Sequence, residues 1–231
     1  MKPWKKECWV IPPKANAAFV AQMEEVLDIY KQSYDSNYPV VCMDEMPRQL
    51  IGETFIPLPA KPGSLAKHDY EYKRNGTCNI FIANEPLMGK RFTKVTERRT
   101  KADWAYFIEE LAENYSDAKQ ITLVMDNLNT HSPSSLYEVF PPEKARELRN
   151  RFKWVYTPKH GSWLNMAEIE LNVLAGQCLK RRIDNIKIMR KEVNTWSKKR
   201  NDLNSVINWR FKTEDARIKL KRLYPIVTNL T

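Results

Sequence analysis

Only six Gly occur in 231 residues, which leaves little room for flexible linkers, and fourteen Pro point instead to stiff connections. No apolar stretch approaches the ~20 residues needed to cross a bilayer. The opening segment, MKPWKKECWVIPPK, has no apolar core of the kind that marks a secretory signal. The four Cys (Cys8, Cys42, Cys78 and Cys178) stand far apart, with no CxxC pair and no zinc spacing. Cys42 and Cys178 fall within apolar patterns, so buried thiols in a reducing cytoplasm are expected. There is no internal repeat and no low-complexity tract. These absences exclude a disulfide scaffold, a Cys-ligated zinc module and a repeat array.

Hydrophobic residues make up 42% of the chain, with seven Trp, ten Tyr and eight Phe. That is enough for a packed core, at a length that suits one large domain or a domain with an appendage. The net charge of +10 is unevenly placed. Residues 179–231 hold fifteen Lys and Arg against five Asp and Glu, while residues 1–178 hold 23 of each sign. A polyanionic partner would explain such a basic tail; so would a helix face kept soluble by lysine. Charge alone leaves both open.

Hydrophobic spacing predicts a helix over 15–33, where Phe19, Met23, Val26, Leu27 and Tyr30 share a face. VVCMD (40–44) and ITLVMD (121–126) have the character of buried strands, each ending in an acid. ETFIPLPA, CNIFIAN and RFTKVTER have strand composition, and FKWVY (152–156) is a short strand. Helices are expected over 100–115 and 142–151, from a Ser162 cap to about residue 182, and near 187–200 and 213–222. Strands that first cluster and then alternate with helices imply an α/β domain with a mixed sheet. The carboxyl ends of buried strands are where such sheets place their sites.

Glu168 is expected within the apolar stripe of its helix, with Leu164, Leu171, Ala175 and Leu179 within roughly 60° on the helical wheel. A carboxylate among leucines is costly unless something binds it. Glu170, about 200° away, is expected on the opposite side and without function. Asp44, Asp126 and Glu168, brought together, would form an oxygen-ligand set suited to Mg²⁺ or Mn²⁺. Two such ions activate the attacking oxygen and stabilise the leaving oxygen of a phosphodiester. Glu45, Asp69, Glu71 and Glu97 have no distinguishing context and are expected to be structural. Of the three His, His131 and His160 are placed to approach the acids.

The strings VVCMDEMPRQLIGE, VMDNLNTHSPSSLYEVFPPEKA and YTPKHGSWLNMAEIELNVL resemble the DDE-type transposases of bacterial insertion sequences, in the branch related to mariner elements. The likeness extends from about residue 5 to ARIKLKRLYP near the end. It implies an RNase H-like α/β fold: a mixed β-sheet flanked by helices, with basic C-terminal helices. It further implies a division into an N-terminal arm and helix (1–35), a catalytic domain (36–182) and a basic helical extension packed on it (183–231). The implied activity is metal-dependent DNA cleavage at transposon ends followed by strand transfer. Asp44, Asp126 and Glu168 are then the catalytic acids, holding two Mg²⁺ ions for which Mn²⁺ can substitute. Asn127, His131, His160 and Asn165 match motif positions and are candidates for phosphate contact or for supporting the ligands.

Arg181, Arg182, Lys198, Lys199 and Arg200 are the candidates for holding DNA phosphates, while Trp196 and Trp209 are expected to pack in the core. Double-stranded DNA, a second copy of the chain and a separate helix-turn-helix polypeptide are the implied partners, at the bacterial nucleoid in the cytoplasm. Three departures stand out. DEM replaces DET after the first run. The interval from Asp126 to Glu168 is longer than in mariner elements, with the surplus assigned to PPEKARELRN as a surface insertion. Finally, full-length relatives carry N-terminal helix-turn-helix modules, after which this chain is expected to begin. The alternatives are a truncated remnant that only binds DNA or dimerises, and a nuclease of RNase H or junction-cutting type.

Overall fold

The computed structural model describes residues 11–12, 14–67, 69–128 and 131–226. The N-terminal arm of residues 1–10, with Cys8, lies outside the described residues, as does His68.

Five strands form one mixed sheet in the order β3-β2-β1-β4-β5. β1 (Val40–Glu53), β2 (Tyr72–Glu85) and β3 (Lys90–Thr96) run antiparallel as successive neighbours. β4 (Ile121–Met125) and β5 (Phe152–Tyr156) join parallel to β1. Alternation along the strands splits the core in two. Cys42, Ile80, Ile82 and Val124 face one side, where they pack with α1 (Ala17–Tyr30), α5 (Ala167–Gln177) and α6 (Ile186–Asp202). Val41, Met43, Phe81, Ala83 and Leu123 face the other, against α2 (Lys101–Asn114), α3 (Ser134–Tyr137) and α4 (Pro142–Arg151). α7 (Thr213–Lys219) returns to the N-terminal helix, where Arg217 pairs with Glu24 at 2.9 Å.

Several helix ends follow the expected chemistry. Asn16 caps α1 through Phe19 N–H, and Thr100 with Asp103 forms a capping box on α2. Four expectations are corrected. First, β1 continues nine residues beyond Asp44, although Pro47 lies within it. Its pairing with β4 covers only Val40–Cys42, so from Asp44 onward no strand pairs with its other side, and an edge of that kind tolerates a missing N–H. Second, ETFIPLPA is not a strand beyond Glu53: the described residues of 54–71 carry only the isolated bridges Leu58 to Lys67 and Lys61 to Ser64. Third, PPEKARELRN is not a mere surface insertion, because Ala145 and Leu148 of α4 are buried in the core beside β5. Fourth, Ser162 caps no long helix. A 3-10 turn at Ser162–Leu164 precedes α5, which ends at Gln177, and Asn165 Oδ1 accepts the Ala167 N–H. Trp196 and Trp209 pack on the core as expected.

Candidate active site

Sheet register brings the first two acids together. Cys42 of β1 pairs with Val124 of β4, and both side chains enter the same half of the core. Two residues further along, Asp44 within β1 and Asp126 just past the end of β4 stand at the same level. α5 crosses this half of the core through Ala167, Leu171 and Leu174, and brings Glu168 within electrostatic reach of Asp44 and Asp126. Asn165 ties the start of that helix to β1: its Nδ2 donates to Met43 O at 2.8 Å and to Asp44 Oδ2 at 3.3 Å. The Tyr30 hydroxyl holds the same turn by donating to Leu164 O.

The acids are electrostatically frustrated. Burial pushes the Asp44 carboxyl up to about 8; the Glu45 N–H opposes this, and the charges of Glu168, Glu45 and Asp126 add to it. Glu168 is also raised, by burial and then by Asp126 and Glu45. Among the described residues, neither Asp44 nor Glu168 makes an ion pair. Asp44 and Glu168 are oxygen donors that the protein leaves without a cation, and this donor chemistry fits a divalent ion, although among the described residues it is Glu45, Asp126 and His131 whose ligand atoms lie within 4.8 Å of one another.

Asp126 differs from the other two. Its Oδ1 lies 2.7 Å from Nδ1 of His131, whose Nε2 lies 2.9 Å from Glu45 Oε2. Burial pulls the imidazole down, but the two carboxylates override it and hold His131 up at about 9. Glu45, expected to be structural, thus stands in the site's electrostatics. It escaped the sequence because it follows Asp44 on the strand and points to the opposite face, toward α2 and α3. Its other oxygen accepts from Arg99 at 2.8 Å.

Other candidates lie elsewhere. Asn127 is exposed in the loop after β4, and His160 is exposed in a left-handed turn with φ 66°. Arg200 and Arg91 both clasp Glu170, which is fully buried rather than turned away from the core. Arg182 pairs with Glu53 at 2.5 Å and donates to the carbonyls of Asp69 and Glu71, while Arg181 pairs with Glu192 at 2.7 Å. Lys198 and Lys199 are exposed on α6. No described helix is long and apolar enough to cross a membrane.

Known proteins share this fold. The crystal structure of the Mos1 mariner paired-end complex with Mn matches with a TM-score of 0.57 at 15% identity, covering 89% of this chain and 62% of that one. The Mos1 strand transfer complex matches with a TM-score of 0.57 at 13% identity, covering 87% and 60%. The catalytic domain of Mos1 mariner transposase matches with a TM-score of 0.52 at 13% identity, covering 85% and 96%. The chain thus spans about three-fifths of the longer relatives, and its mixed sheet flanked by helices is the RNase H-like fold expected from the sequence. No curated protein sequence matches it. The family model of the DDE superfamily endonucleases, a divalent-metal-dependent family, matches residues 39–190, from the start of β1 into α6. The chain belongs to the DDE superfamily endonucleases.

Proposed function

We propose that this chain is the catalytic part of a transposase that cuts DNA at transposon ends and joins the freed 3′ ends to target DNA. One observation carries the proposal: two adjacent parallel strands and a helix start bring Asp44, Asp126 and Glu168 within electrostatic reach of one another, and no protein cation neutralises Asp44 or Glu168. In this proposal the three acids hold two Mg²⁺ ions, for which Mn²⁺ can substitute. When bound, the ions supply activation of the attacking oxygen and stabilisation of the leaving oxygen. Asp44 presents its carboxylate from a strand with Asn165 and the Glu45 N–H fixing its orientation. Glu168 approaches from the first turn of α5. The nucleophile is water for cleavage and a DNA 3′-hydroxyl for joining, so no covalent side chain is required.

DNA would follow the basic surface of α6. A cleft of about 730 Å³ there is lined by Lys180, Arg181, Trp196, Lys199 and Arg200. Lys198 and Lys199 are the side chains best placed for phosphates, since Arg182 and Arg200 are committed to internal ion pairs. Two ends must be held together for transposition, and a homodimer would do so. Phe55, Ile56, Leu58, Leu65 and Tyr70 between β1 and β2 are exposed and suit a partner copy. A separate helix-turn-helix polypeptide would read the end sequence, and the assembly would act at the nucleoid in the cytoplasm.

Mg²⁺-dependent cleavage of duplex DNA, compared between the parent and Asp126→Ala, tests the proposal: equal cleavage would sink it. Competition by an RNA–DNA hybrid or a branched junction tests the alternative of an RNase H or junction-cutting nuclease: a competitor that displaces duplex DNA and is cut in preference to it would favour that alternative. The assembled acids argue against a remnant that only binds DNA.

A further inference from the structure

With Asp44, Asp126 and Glu168 taken as metal ligands, we propose that Glu45 and His131, backed by Arg99, form a brace that fixes the Asp126 carboxylate, tying one oxygen to the protein and leaving the other to face the ions. Asp126 lies one residue beyond β4, so no ladder hydrogen bond sets its side chain. The side chain is 28% exposed and free to turn unless something holds it. His131 Nδ1 lies 2.7 Å from Asp126 Oδ1. The ring is itself immobilised, with Trp104 stacked on it at 6.0 Å and 23°. The Tyr156 hydroxyl donates to the His131 carbonyl, and the His131 N–H donates to Leu128 O. Glu45 Oε2 stands 2.9 Å from Nε2, and Arg99, 45% exposed, holds Glu45 Oε1 at 2.8 Å. The series therefore runs from a guanidinium at the surface to a ligand in the site.

A carboxylate ligand that rotates offers either oxygen at varying distance. A hydrogen bond to one of them removes that freedom, which is why outer partners of ligands tune metal affinity. β1 contributes to both shells at once. Asp44 and Glu45 are consecutive, so their side chains leave opposite faces, one as ligand and the next as brace. Single atoms of Glu45, Asp126 and His131 lie within 4.8 Å of one another, so the trio is also a conceivable cation site. Its geometry favours the brace. The two ring nitrogens face carboxylate oxygens on opposite sides of the imidazole, and one ion cannot replace both contacts.

Mn²⁺ binding to the full chain, followed by electron paramagnetic resonance without DNA, tests this. Asp44→Asn and Asp126→Asn serve as ligand references and are expected to lose binding. Glu45→Gln and His131→Gln are expected to weaken it by about 10–100-fold, and Arg99→Gln by less. The double variant Glu45→Gln/His131→Gln should bind no more weakly than His131→Gln, because the two act in series. DNA affinity measured in chelator should be unchanged throughout, which a loss of fold would not allow. Parent-like Mn²⁺ binding by Glu45→Gln and His131→Gln, beside loss in both ligand references, overturns the brace and leaves the ligands standing. Parent-like binding by Asp44→Asn with loss in Glu45→Gln puts the ion in the trio and also overturns it. Parent-like binding by both ligand references defeats the ligand assignment, and the brace with it. Should His131→Gln fail to fold, Glu45→Gln and the surface variant Arg99→Gln decide by the same criteria.

Discussion

Glu168 and Glu170 sit two residues apart on α5 and meet opposite fates. Glu170 is fully buried, yet Arg91 approaches it at 2.5 Å and Arg200 at 2.8 Å. Its carboxyl is held below the usual range because the two guanidinium groups outweigh burial. Arg91 also donates to the carbonyls of Gly89 and Ser205, so the pair binds the β2–β3 turn to the segment after α6. Glu168 is less buried, meets no cation, and is raised by burial and by other acids. Depth alone therefore does not mark a functional acid. The sign of its surroundings does: one carboxylate is neutralised by the fold, and the other is left for something the fold does not supply.

The largest expected effect breaks the pair apart by activity. Glu168→Gln should lower Mg²⁺-dependent DNA cleavage by about 10³-fold or more, roughly 4 kcal/mol of transition-state stabilisation, while the thermal midpoint in chelator stays the same or rises. Glu170→Ala should do the reverse. It strands Arg91 in the interior and is expected to cost about 3–5 kcal/mol in a denaturant titration. If Glu170→Ala folds with parental stability, or Glu168→Gln unfolds the chain, the contrast fails.

Helix periodicity ranked these two acids the wrong way round, and the reason is physical. The wheel for Glu168 counted Leu164 and Leu179, which lie outside α5, as part of a single helix. The buried side of the real helix is Ala167, Glu170, Leu171 and Leu174. Asp44 and Asp126 were easier to recognise, because VVCMD and ITLVMD are continuous apolar runs with one polar terminus. Part of each of the five strands and most helices follow from such local patterns, while the extension of β1 past Asp44 does not. The Glu45–His131 contact does not, since it joins residues 86 positions apart on the far side of the sheet. Nor could residue type tell Lys199, exposed, from Arg200, its neighbour, which reaches inward to Glu170.

A pH series in chelator sharpens the comparison with opposite signs. Asp44 binds its proton more tightly folded, at about 8, than its ordinary 3.8, chiefly through burial. Its contribution to stability is complete below about pH 4 and is lost as pH rises toward 8, at no more than about 1.4 kcal/mol per pH unit. His131, held at about 9 against an ordinary 6.5, adds a loss in the same direction above pH 6.5. Glu170 works the other way: its depressed carboxyl stabilises above its ordinary 4.5, and that contribution is lost as pH falls through the folded value. Melting curves should therefore fall as pH rises from about 5 to 9, with a shallower fall up to pH 8 in Asp44→Asn. Mg²⁺ should raise the midpoint more at pH 8 than at pH 5, because only the ionised acids bind it. A parent whose midpoint ignores both pH and Mg²⁺ over this span would contradict the frustrated site.

The smallest effects separate cations used by the fold from cations left for DNA. Lys198 and Lys199 are exposed on α6, so their joint replacement by Ala should change stability by no more than about 0.5 kcal/mol. Replacing a lysine that neutralises a phosphate should lower the slope of log affinity against log salt by about 1. Arg200 stands beside them in sequence, but its Nε and NH2 donate to Glu170. Arg200→Ala should therefore destabilise the chain while leaving the salt slope close to the parent's. Arg91 still holds Glu170 after that change, so the penalty should be smaller than for Glu170→Ala. If Arg200→Ala flattens the salt dependence as much as the lysine pair, Arg200 belongs to the DNA surface, and charge on α6 is not divided between interior and partner.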